Sequence, residues 1–135
     1  MKTVSIVNDV TCLMNSQIWG LLHVLSVNQV GVPDTWYVET RRYYNGRERG
    51  FCISIRDLGQ SQATNFVFYE HRNSDEICCV KFPGNVGENY VTSEDIPEEY
   101  FKDKYSYTAS WGYMEFAKVR EYLVAEIESL ISNEE

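Results

Sequence analysis

Two stretches rich in aromatic and β-branched residues flank the dipeptide Asn45-Gly46, and no other feature constrains the fold as strongly. Thr35 to Tyr44 lies before it. Gly50 to Asp57 lies after it, alternating Phe51, Ile53 and Ile55 with Cys52, Ser54 and Arg56. This is the composition and the period of strands, one face apolar and one mixed. Asn-Gly accepts the left-handed backbone that a tight hairpin turn demands, so the two stretches are expected to pair antiparallel. The pattern then repeats: Asn65 to His71 reads as a third strand, Arg72-Asn73-Ser74-Asp75 as a turn, and Glu76 to Phe82 as a fourth strand ended by Pro83-Gly84. Two hairpins in succession predict a four-stranded antiparallel meander.

Helical periodicity brackets this sheet. From about Trp111 to Ile131, the residues Phe116, Val119, Leu123, Ile127, Leu130 and Ile131 fall on one stripe, with Glu115, Lys118, Glu121, Ala125, Glu128 and Ser132 opposite. Such a helix buries its stripe on one face of the sheet, and Arg120, beside the stripe, should lie at the core edge with its stem over apolar surface. Near the start, Thr3 to Val7 reads as a short strand. Asp9 or Thr11 then caps a helix to about Val27, whose apolar positions are Leu13, Met14, Ile18, Leu21, Leu22 and Leu25. Gly31-Val32-Pro33-Asp34 breaks that pattern. Without internal repeats or a Pro/Ser linker, the 135 residues read as one α+β domain, residues 1–135, with a long C-terminal helix and an N-terminal helix.

Composition narrows the classes. A chain with 44% hydrophobic and 14% aromatic residues has the apolar surface that disordered chains lack. No apolar run reaches the roughly 18–20 residues of a membrane-spanning helix. Met1-Lys2-Thr3 is followed by no secretory pattern, so a soluble cytoplasmic protein is expected. Cys12, Cys52, Cys78 and Cys79 match neither a zinc half-site nor a disulfide framework, and reduced buried thiols suit that compartment. No metal and no cofactor is expected. Neither His23 nor His71 sits near a nucleophile motif, and Gly84, Gly87 and Gly112 form no phosphate-binding loop.

Charge supplies the functional expectation. The formal net charge is −8, concentrated late: Met1 to Arg72 holds seven basic and six acidic residues, Asn73 to Glu135 five and fourteen. Such a field repels nucleic-acid phosphates and attracts basic protein surfaces. Two segments are candidates for contact. One is acidic and aromatic, with Glu94, Asp95, Glu98, Glu99, Tyr100, Phe101 and Asp103, in which Ser93-Glu94-Asp95-Ile96-Pro97 opens a short helix through about Phe101. Its four leading carboxylates are expected in solvent, with Tyr100 and Phe101 as apolar anchors for a partner. The other is the hairpin tip, where Arg41, Arg42, Tyr44 and Arg47 gather the residue types that dominate binding hot spots. That tip could equally lean on the chain's own acidic segment. The expected function is that of a small non-enzymatic protein inhibiting a partner through a basic, nucleic-acid-holding surface, with no direct contact to nucleic acid or membrane. A phage or mobile-element anti-defence inhibitor and a toxin-neutralising immunity protein both fit. An enzyme or accessory subunit with a dispersed site is the rival class.

Overall fold

In the computed structural model, which describes residues 1–8, 16–46, 48–70, 76–108 and 113–133, the chain runs β1 (Lys2–Ser5), α1 (Ser16–Ser26), β2 (Gln29–Val32), β3 (Trp36–Asn45), β4 (Glu48–Asp57), β5 (Thr64–Glu70), β6 (Glu76–Pro83), β7 (Tyr90–Thr92), β8 (Tyr105–Thr108) and α2 (Tyr113–Asn133). Two short 3-10 turns, Ser93–Asp95 and Glu98–Asp103, separate β7 from β8. The class is α+β, with a mixed sheet, a two-stranded sheet and a C-terminal helix.

The hairpin forms where Asn45-Gly46 predicts it, Gly46 taking a φ of 58°. β3, β4, β5 and β6 follow one another antiparallel. The four-stranded sheet expected from the sequence is nevertheless too small. The described strand order is β7-β3-β4-β5-β6-β8, with β7 parallel to β3 along Arg42–Tyr44 and β8 antiparallel to β6. The added strands flank the acidic segment, β7 just before it and β8 just after it, and the helix expected there through Phe101 is the pair of 3-10 turns. A second correction lies at residues 29–32. There the chain does not merely break but forms β2, paired antiparallel with β1.

Alternation along the strands gives the sheet two different faces. On one, Trp36, Val38, Phe51, Ile53, Ile55, Phe66, Phe68, Ile77 and Cys79 join one core with Ile18, Leu21, Leu22 and Leu25 of α1 and Val119, Leu123, Ile127 and Ile131 of α2. Phe51 and Phe68, cross-strand partners, stack with centroids 5.3 Å apart. Ion pairing of Lys81 with Glu126 at 2.7 Å ties β6 to α2. Glu70, at the end of β5, accepts the Ile18 N–H at 2.9 Å, satisfying one of the orphan donors of the first turn of α1. Arg120 is half-buried, as its place beside the stripe requires. Asp9, Thr11, Leu13 and Met14, expected to start the first helix, lie outside the described residues, as do the turn at 72–75, His71 and Trp111.

The opposite face carries a second core: Tyr43, Cys52, Val67, Tyr69, Cys78, Val80 and Phe82 from the sheet, covered by Val91 and Ile96, with Val86, Tyr100 and Phe101 packed against it. Tyr43 and Tyr69 flank Gly50 in one cross-strand row, and their rings meet across it at 5.5 Å. A Cβ on Gly50 would stand 1.8 Å from the Phe68 carbonyl oxygen, so only glycine lets β4 and β5 approach here. One open edge is closed by a side chain. Asn8 donates from Nδ2 to the Val38 carbonyl at 2.6 Å and accepts the Thr40 N–H on Oδ1 at 3.1 Å, imitating a neighbouring strand beside β3.

Candidate functional site

The chain leaves β6 at Gly84 (φ 128°), crosses the second face of the sheet, and returns along β3 as β7. Buried Asn65 controls this departure. Its amide nitrogen donates to the carbonyls of Phe82 (3.3 Å) and Gly84 (2.9 Å), while its oxygen accepts the Ser54 hydroxyl at 2.7 Å. With its proton committed to Asn65, Ser54 accepts from the Cys52 thiol, 3.7 Å away. Burial pushes the Cys52 thiol up to about 12, against weaker opposition from its Ser54 contact and the Arg41 charge, so it stays protonated and non-nucleophilic at neutral pH.

This path brings the two predicted segments together. Arg42, Tyr43 and Tyr44 pair with Tyr90, Val91 and Thr92, the Tyr44 and Tyr90 rings meet edge-on at 6.1 Å, and Ser93 donates its hydroxyl to Asn45 Oδ1 at 3.0 Å. The acidic segment therefore lies against the chain's own arginine hairpin. Alternation splits the arginines between faces. Arg42 is exposed on the helix-bearing side, whereas Arg41 points to the other face, half-buried and ion-paired with Glu39. Arg47 lies outside the described residues.

Within the acidic segment Glu94, Glu98 and Glu99 are exposed, and Asp103 closes the second 3-10 turn. Asp95 is exposed but not idle. Its carboxylate accepts the Thr92 backbone N–H at 2.8 Å, the reciprocal bond of a capping box. All four leading carboxylates are thus exposed as expected, but reversal of Asp95 costs local structure. Tyr100 and Phe101 are half-buried against the second core, so they support the sheet more than they offer anchors. Among the described residues the exposed aromatic is instead Tyr90, 54% accessible. Tyr90, Glu88, Glu94 and Asp95 line an open hollow of about 430 Å³, with Thr92, Gly87 and Asn89 completing it.

The spacing Thr92-x-x-Asp95 was the available sign that Asp95 is a cap; nothing local marks Glu88, which the crossing chain delivers. Among the described residues no three His, Cys, Asp or Glu side chains are grouped to hold a metal, and no helix is long and apolar enough to cross a membrane. Comparison of the chain with protein-family models, curated proteins and solved structures finds no match.

Proposed function

We propose that this is a non-enzymatic binding protein that inhibits a partner by occupying a basic protein surface, with the acidic hollow as its contact. The observation that carries this reading is the gathering of Glu88, Glu94 and Asp95 around exposed Tyr90, with exposed Glu98 and Glu99 following in the chain. An arginine or lysine entering the hollow would meet carboxylates and the face of an aromatic ring, a combination worth more than either alone once water is excluded. The outer carboxylates would steer the encounter, and Tyr90 would slow release. A partner surface built to hold nucleic acid has the matching charge. Inhibition of a nucleic-acid-handling defence factor and neutralisation of a toxin are the two settings in which such a contact is useful. The buried thiols Cys52, Cys78 and Cys79 fit the reducing cytoplasm.

The test is affinity capture with two baits in parallel, the native protein and a Glu94→Lys/Glu98→Lys/Glu99→Lys variant that keeps the Asp95 cap. A single basic protein retained stoichiometrically by the native bait, released by salt and not retained by the variant, supports the proposal. A partner held equally by both baits overturns it.

A further inference from the structure

Beside the acidic hollow, and sharing only Glu88 with it, the second face of the sheet holds a groove of about 460 Å³. Its floor and walls include Tyr37, Glu39 and Arg41 of β3 and Ser54 and Arg56 of β4, and the crossing chain places Glu88 at its rim. Register explains the grouping. Glu39 lies opposite Ser54 and Tyr37 opposite Arg56, so the two arginines flank one cross-strand row from either side. Both guanidiniums are held in place. Glu39 grips Arg41 through Nη2, and Arg56 sits 5.1 Å from the centre of the Tyr37 ring.

Neither guanidinium is fully satisfied. Arg41 Nε and Nη1 and Arg56 Nε are buried with no acceptor among the described residues. A buried charged donor without an acceptor is among the costlier features a fold can carry, and three of them on two side chains that line one groove call for an acceptor from outside. Ser54 does not relieve them: its hydroxyl donates to Asn65 and meets the Cys52 thiol, and it accepts from neither guanidinium. A carboxylate has two oxygens and suits a single guanidinium fork, whereas a phosphate has oxygens enough to serve two guanidiniums at once. We propose that this groove binds the phosphate group of a small molecule, held between Arg41 and Arg56. Glu88 at the rim opposes such an anion and sets its affinity. The proposal is independent of the acidic hollow and would survive the failure of that contact.

The experiment is titration of the 15N-labelled protein with inorganic phosphate, and separately with acetate as the carboxylate probe, following the Arg Nε–H resonances. Saturable shifts of both the Arg41 and Arg56 signals are expected with phosphate, and acetate should bind about tenfold more weakly. Arg56→Gln should weaken phosphate binding by about tenfold or more, while Glu88→Gln should tighten it a few-fold, roughly as expected for removing one like charge near a partly solvated site. These two variants serve even if Arg41→Gln fails to fold. Shifts that do not saturate, equal binding of acetate, or native affinity in Arg56→Gln would each overturn the proposal.

Discussion

Replacement of Asn65 by alanine tests the link between the second face of the sheet and the chain that crosses it. Asn65 is 0% exposed and makes three hydrogen bonds: Ser54 Oγ at 2.7 Å, Phe82 O at 3.3 Å and Gly84 O at 2.9 Å. Each such bond contributes about 1 kcal/mol net, and a buried hydroxyl left without an acceptor costs about 1–3 kcal/mol. Part of the loss is recovered by water, because the Gly84 bond is only partly buried. The expected destabilisation is about 3–5 kcal/mol, a third or more of the stability of an ordinary domain. Urea unfolding followed by circular dichroism measures it, and an unchanged slope with a lowered midpoint is the expected form. Asn65→Asp separates the donor role from the acceptor role. Burial raises the introduced carboxyl's folded-state pKa above its unfolded value, so the variant should be least destabilised in acid, where the acid can donate, and lose stability as pH rises. A loss below about 1 kcal/mol in Asn65→Ala would refute the reasoning, since three bonds of this kind cannot be so cheap.

Gly50→Ala should be at least as damaging, about 3 kcal/mol or more by equilibrium unfolding, because its Cβ would meet the Phe68 backbone oxygen at 1.8 Å and only separation of β4 from β5 relieves that clash. Leu123→Ala, which empties a fully buried site between α2 and the sheet, should cost about 2–5 kcal/mol; an unchanged midpoint would mean the buried stripe is wrongly placed. Cys52 and Cys79, both buried and both with thiols pushed up chiefly by burial, should resist an alkylating reagent at neutral pH in the native state and react on unfolding. Mass spectrometry of the labelled protein reads this directly.

How much of this was legible depends on whether the signal is local. Asn45-Gly46 and the stripe from Phe116 to Ile131 announce the hairpin and the last helix because turn chemistry and periodicity are properties of neighbouring residues. The second core had a local sign too. Phe66-Val67-Phe68-Tyr69 and Ile77-Cys78-Cys79-Val80 are unbroken apolar runs, which mean burial on both faces rather than a half-solvated strand. β7 is three residues long and draws its order from pairing with β3, and Gly31 and Pro33 disguise β2 as a break. Tyr105-Ser106-Tyr107-Thr108 has strand composition, yet the surrounding acidity masked it. The groove between Arg41 and Arg56 was illegible, because it exists only through the register of β3 on β4 and the passage of Glu88 overhead.

The most direct test of the proposed contact is the association rate of the purified protein with its captured basic partner, measured across ionic strength for the native chain and for Glu88→Lys/Glu94→Lys/Glu98→Lys/Glu99→Lys. The account predicts that the native rate falls steeply as salt rises, that the fourfold reversal slows association by about tenfold or more at low salt with its unfolding midpoint kept, and that Tyr90→Ala acts mainly by faster dissociation. Equal rates for the two proteins, with no dependence on salt, would contradict it.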